Sequence, residues 1–373
     1  MKTCFLYVIF LMCIFFGACS KDEIINSEDG VKEHVVIVYM AADNNLDKYA
    51  WQNINKMESG MVTNENNSLI VYIDPENDGP KIYDIKKDYS ENIVSPVIKT
   101  YVEHNSADPL ILNQVLTDII DMYPAKSYSL ILWSHGTGWL PPMNTLRAFG
   151  EDNTNEMDIR DLEVALPFKF NYIIFDACMM GSVEVMYQLR NKADYILASP
   201  TDILTEGFPY DSIIPYLFLG EAGLIKTAEK FYDYYNNKSD DAQSATISLV
   251  KTKELSRLAE LNYNLFSDSN ISKSECNIDS VQKLDMFVHP LCFDYYDFLL
   301  KNFNDNAQLT TIQDQISKTV IFKASTKQFL GKITINTFCG LSCYVPSQYY
   351  DFLNNYYKNL SWSNDSGFFY LIE

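Results

Sequence analysis

The sequence predicts an α/β fold in one large domain, organised around a mostly parallel sheet. Three observations carry this reading. Continuous apolar runs such as Val35–Met40 and Tyr128–Trp133 mark strands buried on both faces. Segments with helical apolar spacing alternate with them, as parallel βαβ units require. Two of the runs stop abruptly, in Ser134-His135-Gly136 and in Asp176-Ala177-Cys178. Such sheets bind ligands beyond the carboxyl ends of their strands, and both of these stops lie there.

The elements follow in order. Met1 and Lys2 precede an uncharged apolar run from Cys4 to Ala18, shorter than the ~20 residues of a spanning helix. A basic start, an apolar stretch and small residues before a cut site read as a secretory signal. Residues 20–33 are polar and aperiodic and read as a tether. Val35–Met40 is the first strand, and Ala41-Ala42-Asp43-Asn44-Asn45 ends it ahead of a helix over Leu46–Met57. Leu69–Ile73 is a strand stopped by Asp74-Pro75, and Ile82–Ile85 and Ile98–Tyr101 are short strands. Asp108-Pro109 opens a helix running to Tyr123, with apolar residues at Leu112, Val115, Leu116, Ile119 and Ile120. Tyr172–Phe175 repeats the design of Tyr128–Trp133, with a helix over Ser182–Leu189 and a strand over Tyr195–Ala198 after it. In the second half Leu224–Asn236 and Leu255–Phe266 read as helices. Ala245–Val250, Thr319–Phe322 and Cys339–Val345 read as strands, the last ended by Pro346.

Composition narrows the function classes. The chain has 373 residues, 47% hydrophobic and 21% charged, with 26 Tyr and 22 Phe, enough large side chains for a sizeable core. Its net charge of −20 repels polyanions and argues against nucleic-acid binding. Of eight Cys, Cys4, Cys13 and Cys19 lie in the leader, leaving Cys178, Cys276, Cys292, Cys339 and Cys343. That is an odd number. Cys339 and Cys343, four apart on one strand, would sit roughly 13 Å apart, beyond disulfide reach. No C-x-x-C pair suggests structural zinc. A free thiol is implied.

Nucleophilic cysteine catalysis needs a thiolate, an imidazole and donors for an oxyanion. The chain has four His. His34 lies at the tether junction, His104 in a polar loop and His289 before Pro290, whereas His135 ends a buried strand and precedes Gly136-Thr137-Gly138. Glycine there allows close approach to the backbone. Cys178 ends a second buried strand, and the sequence places it at the opening of a helix, where a thiol pKa is lowered. Singly, a Cys after an apolar strand is more often an inert core thiol, and a strand-end His more often structural. Together they share one context, two parallel strand ends.

These residues carry a resemblance. The strings Ile131-Leu132-Trp133-Ser134-His135-Gly136-Thr137-Gly138-Trp139 and Phe175-Asp176-Ala177-Cys178-Met179-Met180-Gly181-Ser182-Val183-Glu184-Val185 resemble the clostripain-like family, within the caspase, gingipain and legumain clan of cysteine peptidases. Tyr39–Leu46 and Gly340–Pro346 resemble that family's first-strand and late-strand segments. The similarity spans about residues 34 to 346. It implies a caspase-like α/β/α sandwich over residues 34–373, with additional C-terminal strands and helices.

By this resemblance His135 and Cys178 form a dyad without a third member. Cys178 attacks the scissile carbonyl, the N–H groups of Gly136 and Cys178 hold the oxyanion, and His135 protonates the leaving amine. Asp176 matches the family's acid at the base of a pocket for Arg or Lys, its plainer role being to brace the helix after Cys178. Asp202 and Glu206 are candidates for a second pocket acid, in a segment that departs from the family's acidic, Gly-rich pattern. Arg147 is the one basic residue between Leu140 and Asp158 outside the two motifs, and it marks a self-cleavage site by resemblance. The chemistry requires no cofactor. Calcium, which some relatives use, is the one candidate ion, for the acid run Glu151, Asp152, Glu156 and Asp158; the run lacks EF-hand spacing, and its plainer reading is a solvated acidic loop.

The leader resembles a bacterial lipoprotein signal, with Cys19 as the lipidated mature N-terminus. Ser20 after it favours the outer membrane, and Lys21-Asp22-Glu23 is similar to the surface-export signal of Bacteroidetes lipoproteins. The reading is an exported, membrane-anchored endopeptidase of a Gram-negative bacterium, acting on proteins or peptides with a basic P1 residue. Two alternatives stay open: an inactive peptidase fold serving as a surface binding module, and a transpeptidase resolving the same thioester with an amine.

Overall fold

Nine strands form one sheet, numbered here in chain order: β1 His34–Ala42, β2 Asn67–Pro75, β3 Lys81–Asp84, β4 Val97–Thr100, β5 Tyr128–Trp133, β6 Phe170–Asp176, β7 Ala193–Ala198, β8 Thr246–Lys251 and β9 Val320–Ser325. The computed structural model describes residues 30–62, 64–141, 149–153, 155–269, 276–303, 307–347 and 349–372. Across the sheet the order is β9-β8-β7-β6-β5-β1-β2-β3-β4. The five central strands run parallel. Antiparallel pairs extend both edges, β3 and β4 on one side and β8 and β9 on the other. The edge pair β8 and β9 comes from the second half of the chain, so both halves build one domain.

Strand β1 shows why the sheet lies between two helical layers. Val35, Ile37 and Tyr39 point into one core cluster, and Val36, Val38 and Met40 into the other. Helices Pro109–Met122 and Leu255–Ser269 supply apolar faces to the first cluster, through Leu112, Val115, Leu258 and Leu265 among others. Asp47–Gly60 and Gly220–Asn236 supply the second, through Ile54, Met57, Leu224 and Phe231. Each fully buried large side chain contributes about 1.5–3 kcal/mol relative to exposure. This is the α/β/α sandwich that the family resemblance implies, built on the mostly parallel sheet that the alternation of runs predicts.

Several elements differ locally from the sequence reading. Lys32 and Glu33, read as the end of the tether, already donate backbone hydrogen bonds to Pro124 and Asn66. Cys339 is not on a strand. The late strand covers only Ser342–Tyr344, because Gly340 adopts φ +95° and turns the chain before it. The run from Glu151 to Asp158 is not a solvated loop either. Phe149–Asp152 and Asn155–Met157 pair as a hairpin, and Asp158 caps the helix Ile159–Ala165 through the Arg160 N–H. Among the described residues the five Cys after the leader form no disulfide.

One buried acid is unusual. Asp74, at the carboxyl end of β2, is fully buried, and neither of its carboxylate oxygens has a hydrogen-bond partner. Burial, then the neighbouring Asp152 and Glu103 charges, push its carboxyl up to about 8. A raised carboxyl pKa keeps the folded state protonated while the unfolded chain ionises. Stability from this group therefore falls as pH rises from the ordinary value of 3.8 to about 8. The melting temperature of the protein is expected to drop between pH 5 and 8. Asp74→Asn, which removes the titration, is expected to flatten that drop; identical pH profiles for the two proteins would refute the assignment.

Candidate functional site

Parallel pairing sets the site's geometry. In the β5–β6 ladder Trp133 lies opposite Asp176, so the chains leave the sheet at the same level. His135 and Cys178 each follow by two residues, on adjacent strand ends. Both line one cavity of about 350 Å³, together with Asp176, Asp202, Glu206 and Gly207. The dyad and pocket candidates His135, Cys178, Asp176, Asp202 and Glu206 therefore line one cavity, and the acid run from Glu151 to Asp158 does not. Arg147 and Cys19 lie outside the described residues.

The close approach of the two strand ends depends on glycine. A Cβ on Gly136 would lie 2.9 Å from the Cys178 carbonyl oxygen, closer than real side chains come, and 3.1 Å from the Ala177 Cβ. Among the described residues the Gly136 and Cys178 N–H groups carry no hydrogen bond, which leaves two donors at the cavity. Ser134 braces the turn, donating from Oγ to the Ala41 carbonyl and accepting from the Glu151 N–H.

Cys178 does not open a helix. The next helix begins at Val183, capped by Ser182, whose Oγ accepts from the Val185 N–H. Between them Met179 takes φ +60°, a left-handed conformation costly for a non-glycine residue, held by its N–H bond to the Thr201 carbonyl. The helix-dipole argument for a lowered thiol pKa therefore fails. The Cys178 sulfur accepts from the Ile203 N–H at 3.2 Å and faces the Ile203 carbonyl at 3.6 Å. Burial, then the Asp202 charge, push the thiol well above its ordinary value, and the Ile203 N–H offsets this in part.

His135 is oriented by residues that sequence reasoning missed. Its Nε2 lies 2.6 Å from Asn45 Oδ1 and 3.4 Å from Glu151 Oε2. With Oδ1 as acceptor, Nε2 carries the proton. Asn44 ties the two segments together, its Nδ2 donating to the Ala41 and Glu151 carbonyls. The available signal was the Asp-Asn-Asn stretch at the end of β1, beside β5 in the sheet. The other three His are used elsewhere. His34 bonds Ser129 Oγ, His104 bonds the Tyr72 hydroxyl, and His289 stacks on Tyr349 with ring centroids 3.8 Å apart.

Asp176 does not brace a helix at Cys178, since none opens there. Its Oδ2 accepts from the Phe208 N–H at 3.1 Å and the Tyr210 hydroxyl at 2.9 Å. Gly207, at φ +66°, makes room, since a Cβ there would stand 2.6 Å from the same oxygen. Burial raises the Asp176 carboxyl to about 6, opposed by those two hydrogen bonds. Asp202 is also raised by burial. Glu206 lines the cavity but is held in an ion pair with Lys238 at 3.1 Å, so it enters the site partly neutralised. Asp152, assigned by the sequence to an ion-binding run, instead accepts from Ser106. Asp158 pairs with Arg160 at 3.0 Å. Among the described residues no group of three or more His, Cys, Asp or Glu is arranged to hold a metal ion.

Comparison with known proteins follows this geometry. The model of the clostripain family matches residues 38–366. The fold superimposes on an inactive zymogen of a C11 protease from Parabacteroides distasonis with a TM-score of 0.79 and 34% identity, covering 90% of this chain and 98% of that one. A secreted C11 cysteine protease from Bacteroides thetaiotaomicron, solved with an irreversible peptide inhibitor, gives a TM-score of 0.79 and 31% identity, covering 90% and 99%. Clostripain of Hathewaya histolytica is 25% identical over an alignment of 221 residues that covers 50% of this chain and 42% of that protein. The match thus spans less than half the length of that curated relative.

Two measurements check the site. Because the thiol is raised, alkylation of Cys178 by iodoacetamide is expected to be slow at pH 7 and to climb beyond pH 9; fast labelling at pH 7 would contradict the described environment. Gly136→Ala is expected to cost about 1–3 kcal/mol and to block labelling of Cys178 by a peptidyl electrophile while circular dichroism stays native. Unchanged labelling would show that the strand ends tolerate separation.

Proposed function

The chain belongs to the clostripain family, and from that premise we propose that it is a cysteine endopeptidase cutting after Arg or Lys through a Cys178 thioester. The observation that carries the reading is the convergence of His135, Cys178 and the buried Asp176 on one cavity at two paired strand ends. The kinship with an inhibitor-bound cysteine protease supports it.

In the proposed mechanism Cys178 Sγ attacks the scissile carbonyl. The N–H groups of Gly136 and Cys178 receive the oxyanion, where preorganised donors act most strongly. His135, held by Asn45 and Glu151, takes up the thiol proton as Cys178 attacks and, as the imidazolium, gives a proton to the leaving amine. Water then attacks the thioester, the acid product leaves, and the thiol is restored. The resting thiol is protonated, so ionisation is coupled to substrate binding. A basic P1 side chain brings positive charge to Asp176 and Asp202, the carboxylates that raise the thiol. Neutralising them removes that electrostatic cost and favours the thiolate.

Asp176 reads the P1 cation. Its anchored Oδ2 fixes the carboxylate plane, so a guanidinium meets it with charge-assisted hydrogen bonds. Asp202 adds charge nearer the thiol, and Glu206 acts through its share of the Lys238 pair. Cleavage after Arg147 is proposed as self-activation. The leader and Cys19 add export and lipid attachment at the outer membrane or cell surface; the secreted relative supports export. No helix among the described residues is long and apolar enough to cross a membrane. The second reading, an inactive binding module, is favoured only by the masked thiol and the zymogen kinship.

Protein lacking residues 1–19 is expected to hydrolyse Arg- or Lys-terminated fluorogenic peptides. Cys178→Ala should abolish turnover and Cys276→Ala should not; equal effects would mean another thiol is the nucleophile. Asp176→Asn is expected to lower kcat/KM for basic peptides by about 10²-fold or more, the loss of one charge-assisted pair. The Asp176 carboxyl is protonated below about pH 6, so KM for basic substrates should rise as pH falls through 6 and this dependence should vanish in Asp176→Asn. If Arg147 is cut, active enzyme runs as two fragments and Cys178→Ala as one. A single band for active enzyme would end that proposal.

A further inference from the structure

A second cavity is larger than the catalytic one. It holds about 770 Å³ and is built by the 279–290 segment, the start and end of the helix Tyr295–Phe303 and the hairpin Gln328–Thr334. That hairpin is a shared wall. Leu330 at its turn lines the catalytic cavity, while Lys332, Ile333 and Thr334 line the larger one. The two cavities also feel each other's charge: Asp202, in the first, adds to the shift that burial imposes on Asp285, in the second. A polypeptide crossing Cys178 and continuing over the hairpin enters the larger cavity.

The chemistry of this cavity runs against the rest of the surface. In a chain of net charge −20 it presents three exposed ammonium groups, Lys283, Lys301 and Lys332. Among the described residues none of the three forms an ion pair, whereas Lys226 pairs with Glu229 and Lys126 with Glu33. Two of the cavity's carboxylates are turned inward. Asp285 accepts from the Phe287, Leu291 and Cys292 N–H groups, and Asp297 from the Gln282 N–H. Asp279 stands at the rim. An apolar strip completes the lining, with Val288 92% exposed and Met286 40% exposed. Side chains this open, beside unpaired cations, suit a ligand that is extended, part apolar and anionic.

We propose that this cavity is a distal substrate subsite, in which Lys283, Lys301 and Lys332 bind acidic side chains of the polypeptide on one side of the scissile bond. The inference rests on the endopeptidase reading. The dividing hairpin is roughly 10 Å across, so at roughly 3.3 Å per extended residue the acidic side chains lie about three to six positions from the cut. The enzyme would thereby combine a basic residue at the cut with an acidic stretch at a distance, and its preference would appear only with long substrates.

The test separates this claim from the catalytic one by measuring binding without turnover. The Cys178→Ala protein is titrated with fluorescein-labelled peptides that carry one Arg and a Glu-Asp stretch four residues away, before or after it, and with counterparts in which that stretch is Gln-Asn. One acidic peptide is expected to bind about tenfold more tightly than its amide counterpart, the scale of three exposed ion pairs. The preference should shrink in high salt. It should be lost when Lys283→Ala, Lys301→Ala and Lys332→Ala are combined. In the otherwise wild-type enzyme the same triple change should leave kcat/KM on a short Arg peptide unaltered. Equal binding of acidic and amide peptides, or a preference that survives the triple change, would overturn the subsite. Failure of wild-type enzyme to cut the short peptide would overturn the catalytic reading and leave the binding result to decide the subsite alone.

Discussion

Trp133 pairs with Asp176 where β5 and β6 run side by side, and the site is organised by that register. Neighbouring strands lie about 4.8 Å apart, so two chains leaving the sheet at one level must deliver their next residues to adjacent positions. A one-residue slip would turn every side chain of β6 to the opposite face and move Cys178 away from the His135 turn. The two core clusters guard against such a slip, because Ile173 and Phe175 belong to one and Tyr172 and Ile174 to the other. Burial on both faces thus holds the register, and the register holds the chemistry.

The environment built at this edge is poised rather than active. Burial and carboxylates keep the thiol protonated, and the Ile203 backbone occupies its sulfur. Under the proposed specificity, acidic groups that look unhelpful to a nucleophile become useful, because a cationic substrate would neutralise them. Asp176 is the most committed of them, pinned by Phe208 and Tyr210 under a glycine that leaves it space. Glu206 is the least, since Lys238 already answers its charge.

How much of this the sequence disclosed depends on the range of each cause. Strands β1, β5 and β6 were legible because burial on both faces writes itself as unbroken apolar runs. The positions of His135, Gly136, Cys178 and Asp176 were legible because each sits at a fixed offset from such a run, whereas the pocket role proposed for Asp176 came with the family resemblance. The helix assigned to Cys178 was misplaced because Met179 takes a left-handed conformation and Gly181 approaches Pro200, so the helix waits for the Ser182 cap. The roles of Asn45 and Glu151 were hidden for another reason. They reach His135 from 90 residues before it in the chain and from a hairpin after it, through contacts that no local pattern records. Lys238 and Leu330 reach the site across the same kind of distance.

The central claim is that paired strand ends bring one thiol and one carboxylate to a single peptide substrate. A crystal structure of the protein reacted with an irreversible peptidyl inhibitor ending in arginine tests it most directly. The account predicts a covalent bond to Cys178 Sγ, the inhibitor oxygen facing the Gly136 and Cys178 N–H groups, and the guanidinium paired with Asp176. A bond to another thiol, or a guanidinium seated away from Asp176 with Cys178 modified, would contradict it.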